Sequence, residues 1–216
     1  MMGHNQCVIG SFNSRSAHNK KEYFNTLLSK VDILCIQEHW LSDLQLSMLG
    51  DINDSFAYTG VSGFDNSAVL QGRPYGGCAI LWRSDIAPTV TVLNCDSKRL
   101  CAIRLDGNQW NLLIICVYLP HEDNQVNNNA FIDELSRVES LIERNLDCHI
   151  VIGFICHLRR AVYRSTGLHG PKKMMMKRIN GKWYLMMIVN SQTPLVRFAG
   201  QQIHNKSHKW SLHIID

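Results

Sequence analysis

Four apolar, strand-like runs in this 216-residue sequence end in residues that can do chemistry. The residues at these ends are Asn13, Glu38, Tyr118 and whatever follows Gly153. A carboxylate, a carboxamide and a phenol at separate strand ends suit a hard divalent cation and a phosphate ester. Mg²⁺ usually needs only one or two carboxylates, because water and substrate oxygens complete its octahedron. Such a metal stabilises charge on phosphoryl oxygens and activates water, so the pattern indicates metal-assisted chemistry on a phosphate ester.

Each of these residues, taken alone, also has an ordinary structural interpretation. A carboxylate such as Glu38 at a strand end often pairs with a nearby Arg or Lys. Asn13 is of a residue type that commonly forms turns, and aromatic residues such as Tyr118 are common in strands. For each residue, the structural and the functional interpretation stay open until the order of the elements is considered.

The elements that must position these residues predict an α/β domain built around residues 31–41. Apolar residues at helical spacing predict one helix within residues 16–30 and another over residues 127–144, and Ser42 is predicted to cap a further short helix. Buried strands are predicted over residues 7–12, 33–36, 76–82, 89–93, 100–105, 110–118 and 148–153. Mixed strands with two helical layers are typical of two packed sheets flanked by helices.

The pattern weakens after Gly153, where turn signals and alternation are less regular. Residues 174–178 and 185–189 are predicted to be helical, and residues 195–198 form a predicted strand. Residues 61–67, rich in Gly, Asn and Asp, are predicted to be a loop.

The composition indicates one globular domain with no membrane-spanning run. The longest apolar run, residues 112–117, is far shorter than the roughly 18 residues of a membrane helix. The eight cysteines form no Cys-x-x-Cys pair and several lie in apolar runs, which predicts reduced thiols and an intracellular protein. Residues 151–216 carry a net charge of +10, whereas the remainder carries −6. This asymmetry indicates either a face that binds phosphate or a tail that no longer matches its domain.

The order of these motifs resembles the endonuclease/exonuclease/phosphatase superfamily, and most closely the apurinic-type endonuclease domain of non-LTR (LINE-type) retrotransposons. The motifs are residues 11–15, residues 32–41 with the Gln37-Glu38 strand end, and residues 76–80, 117–120 and 149–153. The likeness covers residues 7–158 well. Residues 159–216 match only faintly, as a degenerate or truncated end of the same single domain, residues 1–216.

The resemblance implies a DNase I-like, four-layer α/β/β/α sandwich that cleaves DNA phosphodiesters with Mg²⁺, or with Mn²⁺. Carried over by position, Glu38 is the principal metal ligand and Asn13 supports the metal site. Tyr118 contacts the phosphate or helps to position the nucleophile. Arg15 contacts the DNA backbone, although a solvated surface charge explains this lone Arg as well.

One family motif, Gly-Asp-Phe-Asn at the end of a strand, is damaged in this sequence. The Asp between Gly153 and Phe154 is deleted, and Ile155 stands where the Asn belongs. In the family the Asp orients the attacking water or the leaving group, and the Asn helps to bind the phosphate. Both functional groups are therefore expected to be absent, and replacement by His157 or Cys156 stays open.

A second family motif, the closing Ser-x-x-Asp-His segment, has a remnant in residues 210–216. If Asp216 is the motif's Asp and belongs to the metal site, the chain stops before the catalytic His. If His213 is that catalytic His, the order of the residues is wrong. Both assignments remain hypotheses.

The sequence thus predicts an endonuclease that nicks DNA with Mg²⁺, weakly or not at all because the Gly-Asp-Phe-Asn motif is lost. A second hypothesis is an inactive remnant that binds nucleic acid through its basic C-terminal third, with an affinity that falls as salt rises. A phosphatase of the same superfamily acting on a small ester, and a partly folded, truncated element copy, are further alternatives. We also predict DNA as the partner, no membrane association, a monomer, nuclear location, and fusion or association with a reverse transcriptase.

Overall fold

The computed structural model describes residues 6–64, 75–107, 111–119 and 125–155, and the backbone of four further strands between residues 174 and 215. The helices are α1, Lys21–Leu28, and α2, Gln125–Glu143, and 3₁₀ segments cover Asp43–Ile52 and Ser84–Thr89. The strands are β1 Gln6–Asn13, β2 Ile33–Gln37, β3 Phe56–Val61, β4 Cys78–Arg83, β5 Val90–Leu93, β6 Leu100–Asp106, β7 Asn111–Tyr118, β8 Cys148–Ile155, β9 Met174–Ile179, β10 Lys182–Ile188, β11 Leu195–Ala199 and β12 Ser211–Ile215. No helix among the described residues is long and apolar enough to cross a membrane.

These strands form two mixed sheets of six strands each. The first sheet has the order β12-β11-β1-β2-β4-β3, and the second has the order β5-β6-β7-β8-β10-β9. The pairs β1–β2, β7–β8 and β8–β10 are parallel, and the other neighbouring pairs are antiparallel. The fold class expected from the sequence, an α/β sandwich of two packed sheets flanked by helices, is confirmed.

The central strand β2 shows why the sandwich has four layers. Successive side chains of a strand point to opposite faces. Ile33 and Cys35 accordingly pack in the apolar layer between the two sheets, whereas Leu34 and Ile36 pack in the layer that contains α1. A third apolar layer joins α2 to the outer face of the second sheet. Because both faces of β2 are covered, its sequence is continuously apolar rather than alternating.

The structure corrects the helical prediction for residues 174–178 and 185–188. These residues lie in β9 and β10, which pair in an antiparallel register that sets Ile179 opposite Lys182, whereas Val189 lies outside the described residues. Runs of Met give no clear period, so the helical interpretation had little support. The Asn180-Gly181 pair between the strands in the sequence is typical of a two-residue hairpin and was the better signal.

Strand β3 is a second difference, because the sequence pattern does not indicate it. It is an edge strand of the first sheet, and its side chains are mostly half-buried. Its sequence also contains Gly60, which weakens a strand pattern. Val61, expected to open a loop, is the last residue of this strand.

The polar strand ends gather at one edge of each sheet. In the first sheet, Asn13 at the end of β1 lies opposite Gln37 at the end of the parallel strand β2, and Cys78 at the start of β4 pairs with Gln37. In the second sheet, Tyr118 at the end of β7 lies opposite Ile155 at the end of the parallel strand β8. Each sheet therefore presents its candidate residues along a single edge.

Candidate active site

The carboxylate of Glu38 is held by the side chain of Asn13 at the edge shared by β1 and β2. Asn13 Nδ2 donates a hydrogen bond to Glu38 Oε1 over 3.0 Å, and the backbone N–H of Arg15 donates to Asn13 Oδ1 over 3.1 Å. Both residues are buried, with 6% of Asn13 and 8% of Glu38 exposed. Because both polar atoms of its amide are engaged, Asn13 fixes the orientation of the carboxylate.

The backbone at Glu38 is strained in a way that points to function. Glu38 has φ +55° and Trp40 has φ +58°. Left-handed conformations of residues other than Gly cost on the order of 1–3 kcal/mol each and persist only where the surrounding structure enforces them. Here the Glu38 N–H donates to the carbonyl of Gly77 over 2.8 Å, and the Trp40 N–H donates to the carbonyl of Gly76 over 3.1 Å. The Ser16 N–H donates to the carbonyl of Glu38 over 2.8 Å, so the turn is held from two sides.

The two glycines before β4 bring the sheets together at this turn. A Cβ on Gly77 would lie 2.4 Å from Cε1 of His39, which is closer than real Cβ atoms approach. A Cβ on Gly76 would lie 3.7 Å from the ring of Tyr118, which is an ordinary contact. Gly76 therefore places Tyr118 of the second sheet beside the Glu38 turn of the first, and Gly77 leaves room for an imidazole.

Tyr118 is a protonated phenol whose ionisation is opposed by the negative charge of Glu38. Burial raises the pKa of the Tyr118 hydroxyl, the negative charge of Glu38 raises it further, and the positive charge of Arg99 opposes this. The phenol therefore keeps its proton at neutral pH and is available as a hydrogen-bond donor.

Arg99 is a residue of the site that the sequence analysis missed. Its guanidinium carbon lies 5.7 Å from the centre of the Tyr118 ring, within the range of a cation–π contact. The Tyr118 N–H donates to the carbonyl of Arg99 over 2.8 Å, so pairing of the two strands brings the cation to the site. A groove of about 600 Å³ extends from Arg99 along the β5–β6 loop to Arg137 of α2. The available signal was a basic pair, Lys98-Arg99, directly before a strand that pairs with the strand of Tyr118.

Gln37 joins the two sheets beneath the carboxylate. Its side chain is fully buried, and its Nε2 donates to Ser11 Oγ over 3.0 Å and to Cys116 Sγ over 3.3 Å. Ser11 lies in the first sheet and Cys116 in the second. The residue before Glu38 is therefore anchored in both sheets.

Arg15 lies in the loop that follows Asn13, and its side chain is exposed. The loop is tied to the turn of Glu38, since the Ala17 N–H donates to the carbonyl of His39 over 2.8 Å, and Arg15 and Ser16 in this loop have φ +44° and +95°. The guanidinium is thus presented to solvent from a loop fixed to the same edge of the sheet.

The strand that carries the damaged motif continues to Ile155, which lies opposite Tyr118. Gly153 packs closely against the strands of the first sheet, so its position in the sandwich is fixed. The residue level with Tyr118 is therefore aliphatic, as the sequence indicated. His157 and Cys156, the candidates to replace the lost groups, lie outside the described residues.

Of the two C-terminal candidates, only His213 lies among the described residues, and its backbone is not at the site. His213 lies on β12 opposite Arg197 of β11, and Arg197 lies opposite Val8 of β1. Val8 is five residues before Asn13, so the backbone of His213 lies about 16 Å from the level of Asn13 along the strands at about 3.3 Å per residue. Asp216 lies outside the described residues. The structure thus gives no support for His213 as a partner of Glu38.

The donor set at this edge fits a hard divalent cation. Among the described residues no three His, Cys, Asp or Glu side chains form a cage for a metal. Mg²⁺ does not require such a cage, because it keeps several waters and takes one or two carboxylates. The buried carboxylate of Glu38 meets this requirement, and the hydrogen bond from Asn13 keeps its orientation fixed.

Comparison with known proteins agrees with this arrangement. The profile of the Endonuclease/Exonuclease/phosphatase family matches residues 10–153, a range that includes Asn13, Glu38 and Tyr118. The chain therefore belongs to this family, whose enzymes hydrolyse nucleic acids and other phosphoesters and generally depend on divalent metals. No curated protein sequence matches the chain.

Several solved structures are similar to this chain. One is a 3′ phosphatase from Neisseria, NExo, bound to a product DNA hairpin (17% identity, 68% of this chain, 56% of that chain, TM-score 0.49). Another is an AP endonuclease from Archaeoglobus fulgidus (17% identity, 65% of this chain, 52% of that chain, TM-score 0.44). A third is D. rerio TDP2 complexed with a single-strand DNA product (17% identity, 68% of this chain, 59% of that chain, TM-score 0.45). The chain thus spans little more than half the length of these proteins.

Proposed function

We propose that this domain is a divalent-metal-dependent endonuclease that hydrolyses DNA phosphodiesters. The observation that carries the proposal is the meeting of Asn13, Glu38 and Tyr118 at one edge of the sandwich. The Gln37-Glu38 strand end and the order of the motifs support a non-LTR retrotransposon type, in which a reverse transcriptase is the natural fusion or binding partner.

In this proposal each residue of the site has a separate role. Glu38 supplies the metal-binding carboxylate, and Asn13 keeps it oriented. The chemistry that Mg²⁺ would supply at Glu38 is stabilisation of charge on the phosphoryl oxygens and activation of water. The Tyr118 phenol donates a hydrogen bond to a non-bridging phosphate oxygen, a bond that is strong because its acceptor is charged. Arg15 and Arg99 bind neighbouring phosphates of the backbone.

The rate of this enzyme is expected to be low. A positioned acid–base group is worth about 10²–10⁴ in rate, and one donor to a developing oxyanion about 10²–10³. The position level with Tyr118 is Ile155, whose aliphatic side chain supplies neither group. We therefore expect slow nicking relative to a family member with an intact Gly-Asp-Phe-Asn motif.

A second candidate function is DNA binding without cleavage. The same missing groups favour it, together with the net charge of +10 on residues 151–216. In this case Arg15 and Arg99 still contact phosphates, but no bond is broken. Binding of this kind loses affinity linearly, on logarithmic axes, as salt rises.

Two measurements on the full chain test the proposal and separate the candidates. Relaxation of supercoiled plasmid is followed with Mg²⁺, with Mn²⁺ and with a chelator, and binding of a labelled duplex is followed by fluorescence anisotropy over a salt series. Metal-dependent nicking supports the endonuclease. Salt-sensitive binding with no metal-dependent nicking supports the second candidate, and the absence of both overturns the two together.

A further inference from the structure

His39 is enclosed in the turn that carries Glu38, and both of its ring nitrogens are engaged. It is fully buried and lies between Glu38 and Trp40, both of which have left-handed backbones. Nδ1 accepts a hydrogen bond from the Leu41 N–H over 3.0 Å, so the ring proton lies on Nε2. Nε2 therefore donates to the carbonyl of Val61, 3.0 Å away. The neutral ring thus links the turn to the end of β3.

The imidazole also meets the backbone that holds Glu38. All three of the ring atoms Cε1, Nε2 and Nδ1 lie within 2.4–2.9 Å of the place where a Cβ on Gly77 would stand. The carbonyl of the same Gly77 accepts the Glu38 N–H over 2.8 Å. Displacing the ring of His39 would therefore disturb the Gly77 carbonyl, and with it the hydrogen bond that keeps Glu38 in its left-handed conformation.

The second face of the turn is held by backbone carbonyls, which any residue at these positions would supply. The carbonyl of His39 accepts the Ala17 N–H over 2.8 Å, and the carbonyl of Glu38 accepts the Ser16 N–H over 2.8 Å. These bonds tie the loop carrying Arg15 to the turn. The His39 ring therefore acts on the face of the turn that meets Gly77, and backbone bonds hold the face that meets the loop of Arg15.

We propose that His39 is a positioning residue, which holds the backbone of Glu38 in the left-handed conformation that directs its carboxylate to Asn13. His39 makes no contact with substrate in this role. The inference rests on the proposed function only in taking that carboxylate as the metal ligand. The geometric part does not require a metal: His39 holds the backbone of Glu38, and this keeps the hydrogen bond between Glu38 and Asn13.

The competing explanation is that His39 is simply a satisfied core residue, and matched variants separate the two. His39→Phe keeps a ring against Gly77 but removes both hydrogen bonds. His39→Asn restores one of them, because an Asn side chain accepts a hydrogen bond from the N–H two residues on. Asn145→Leu is the control: Asn145 is buried and hydrogen-bonded to Leu141, near the opposite end of β8.

Two readouts on the folded full chain test the role of His39. The first is hydrogen exchange of the Asn13 side-chain amide by NMR, which reports the bond to Glu38 without any metal. The second is the dissociation constant of Mn²⁺ from the electron paramagnetic resonance signal of the free ion. Loss of a residue that orients a metal ligand typically costs about 10–100-fold in metal affinity.

We expect His39→Phe to speed exchange of the Asn13 amide at least about tenfold, the worth of one hydrogen bond to a charged acceptor. We also expect it to weaken Mn²⁺ binding about 10–100-fold. His39→Asn should fall between His39→Phe and wild type, and Asn145→Leu should change neither readout at a similar loss of stability. Unchanged exchange and affinity in His39→Phe, or equal losses in Asn145→Leu, would overturn the inference. If wild type binds no Mn²⁺ while His39→Phe speeds exchange, the positioning role stands and the metal proposal fails.

Discussion

Replacing Gly77 by Ala should destabilise the protein more than replacing its neighbour Gly76. Both glycines have positive φ, +85° and +76°, so each Ala carries the cost of a left-handed backbone, about 1–2 kcal/mol. Only the Cβ at Gly77 collides with a buried ring, 2.4 Å from Cε1 of His39. Overpacking of this kind adds about 1–3 kcal/mol. The expected losses are thus about 1–2 kcal/mol for Gly76→Ala and about 2–5 kcal/mol for Gly77→Ala.

The comparison cancels the effect of Ala on the unfolded chain, because both variants lose one Gly from adjacent positions. The measurement is urea unfolding followed by circular dichroism, with the free energy of unfolding taken by linear extrapolation. Equal losses in the two variants, or a larger loss in Gly76→Ala, would refute the close approach of His39 to Gly77. Glu38 would then be held by contacts other than the packing of His39 against Gly77.

Three further predictions concern single groups. Tyr118→Phe should slow nicking about 10–100-fold, which is the worth of one hydrogen bond to a charged group. The factor should be the same from neutral to mildly alkaline pH, because the raised pKa of Tyr118 keeps the phenol protonated throughout. Burial raises the pKa of Cys7 to about 12 and that of Cys95 to about 11, so native labelling with a disulfide reagent, mapped by mass spectrometry, should be far slower at both than in denaturant. The Arg104 guanidinium holds the pKa of Asp147 at about 2, below the usual 3.8, so the stability that this pair contributes is complete above about pH 4 and is lost as pH falls toward 2. Asp147→Asn should therefore lower the urea midpoint at neutral pH but not near pH 2, and a difference that persists in acid would contradict this.

The residues at strand ends were predictable from the sequence, because residue type and position along a strand determine them. Glu38 and Asn13 each follow an apolar run, and parallel pairing of β1 and β2 sets such ends side by side. Tyr118 was found by the same logic in the second sheet. The catalytic and binding roles given to these residues remain predictions.

The supporting residues were not predictable in the same way, because their roles depend on pairing between distant segments. Arg99 reaches the site only through its partner strand, and nothing local to Lys98-Arg99 distinguishes it from a surface charge. The role of Gly77 requires the position of His39, a residue 38 positions earlier in the chain. For β9 and β10 the prediction failed for a local reason. A run of Met residues gives no clear hydrophobic period, and only the Asn-Gly pair indicated a hairpin of two strands.

The most direct test of the central claim is the plasmid-nicking rate of wild type against Glu38→Gln in Mg²⁺. Gln keeps an oxygen able to accept the hydrogen bond from Asn13 but removes the charge. The exposed Glu139 of α2 provides a matched control in Glu139→Gln. Since a metal contributes several kcal/mol to such a reaction, we predict at least about 100-fold slower nicking in Glu38→Gln and an unchanged rate in Glu139→Gln. Nicking that persists in Glu38→Gln at the wild-type rate would contradict the assignment of Glu38 as the metal-binding carboxylate.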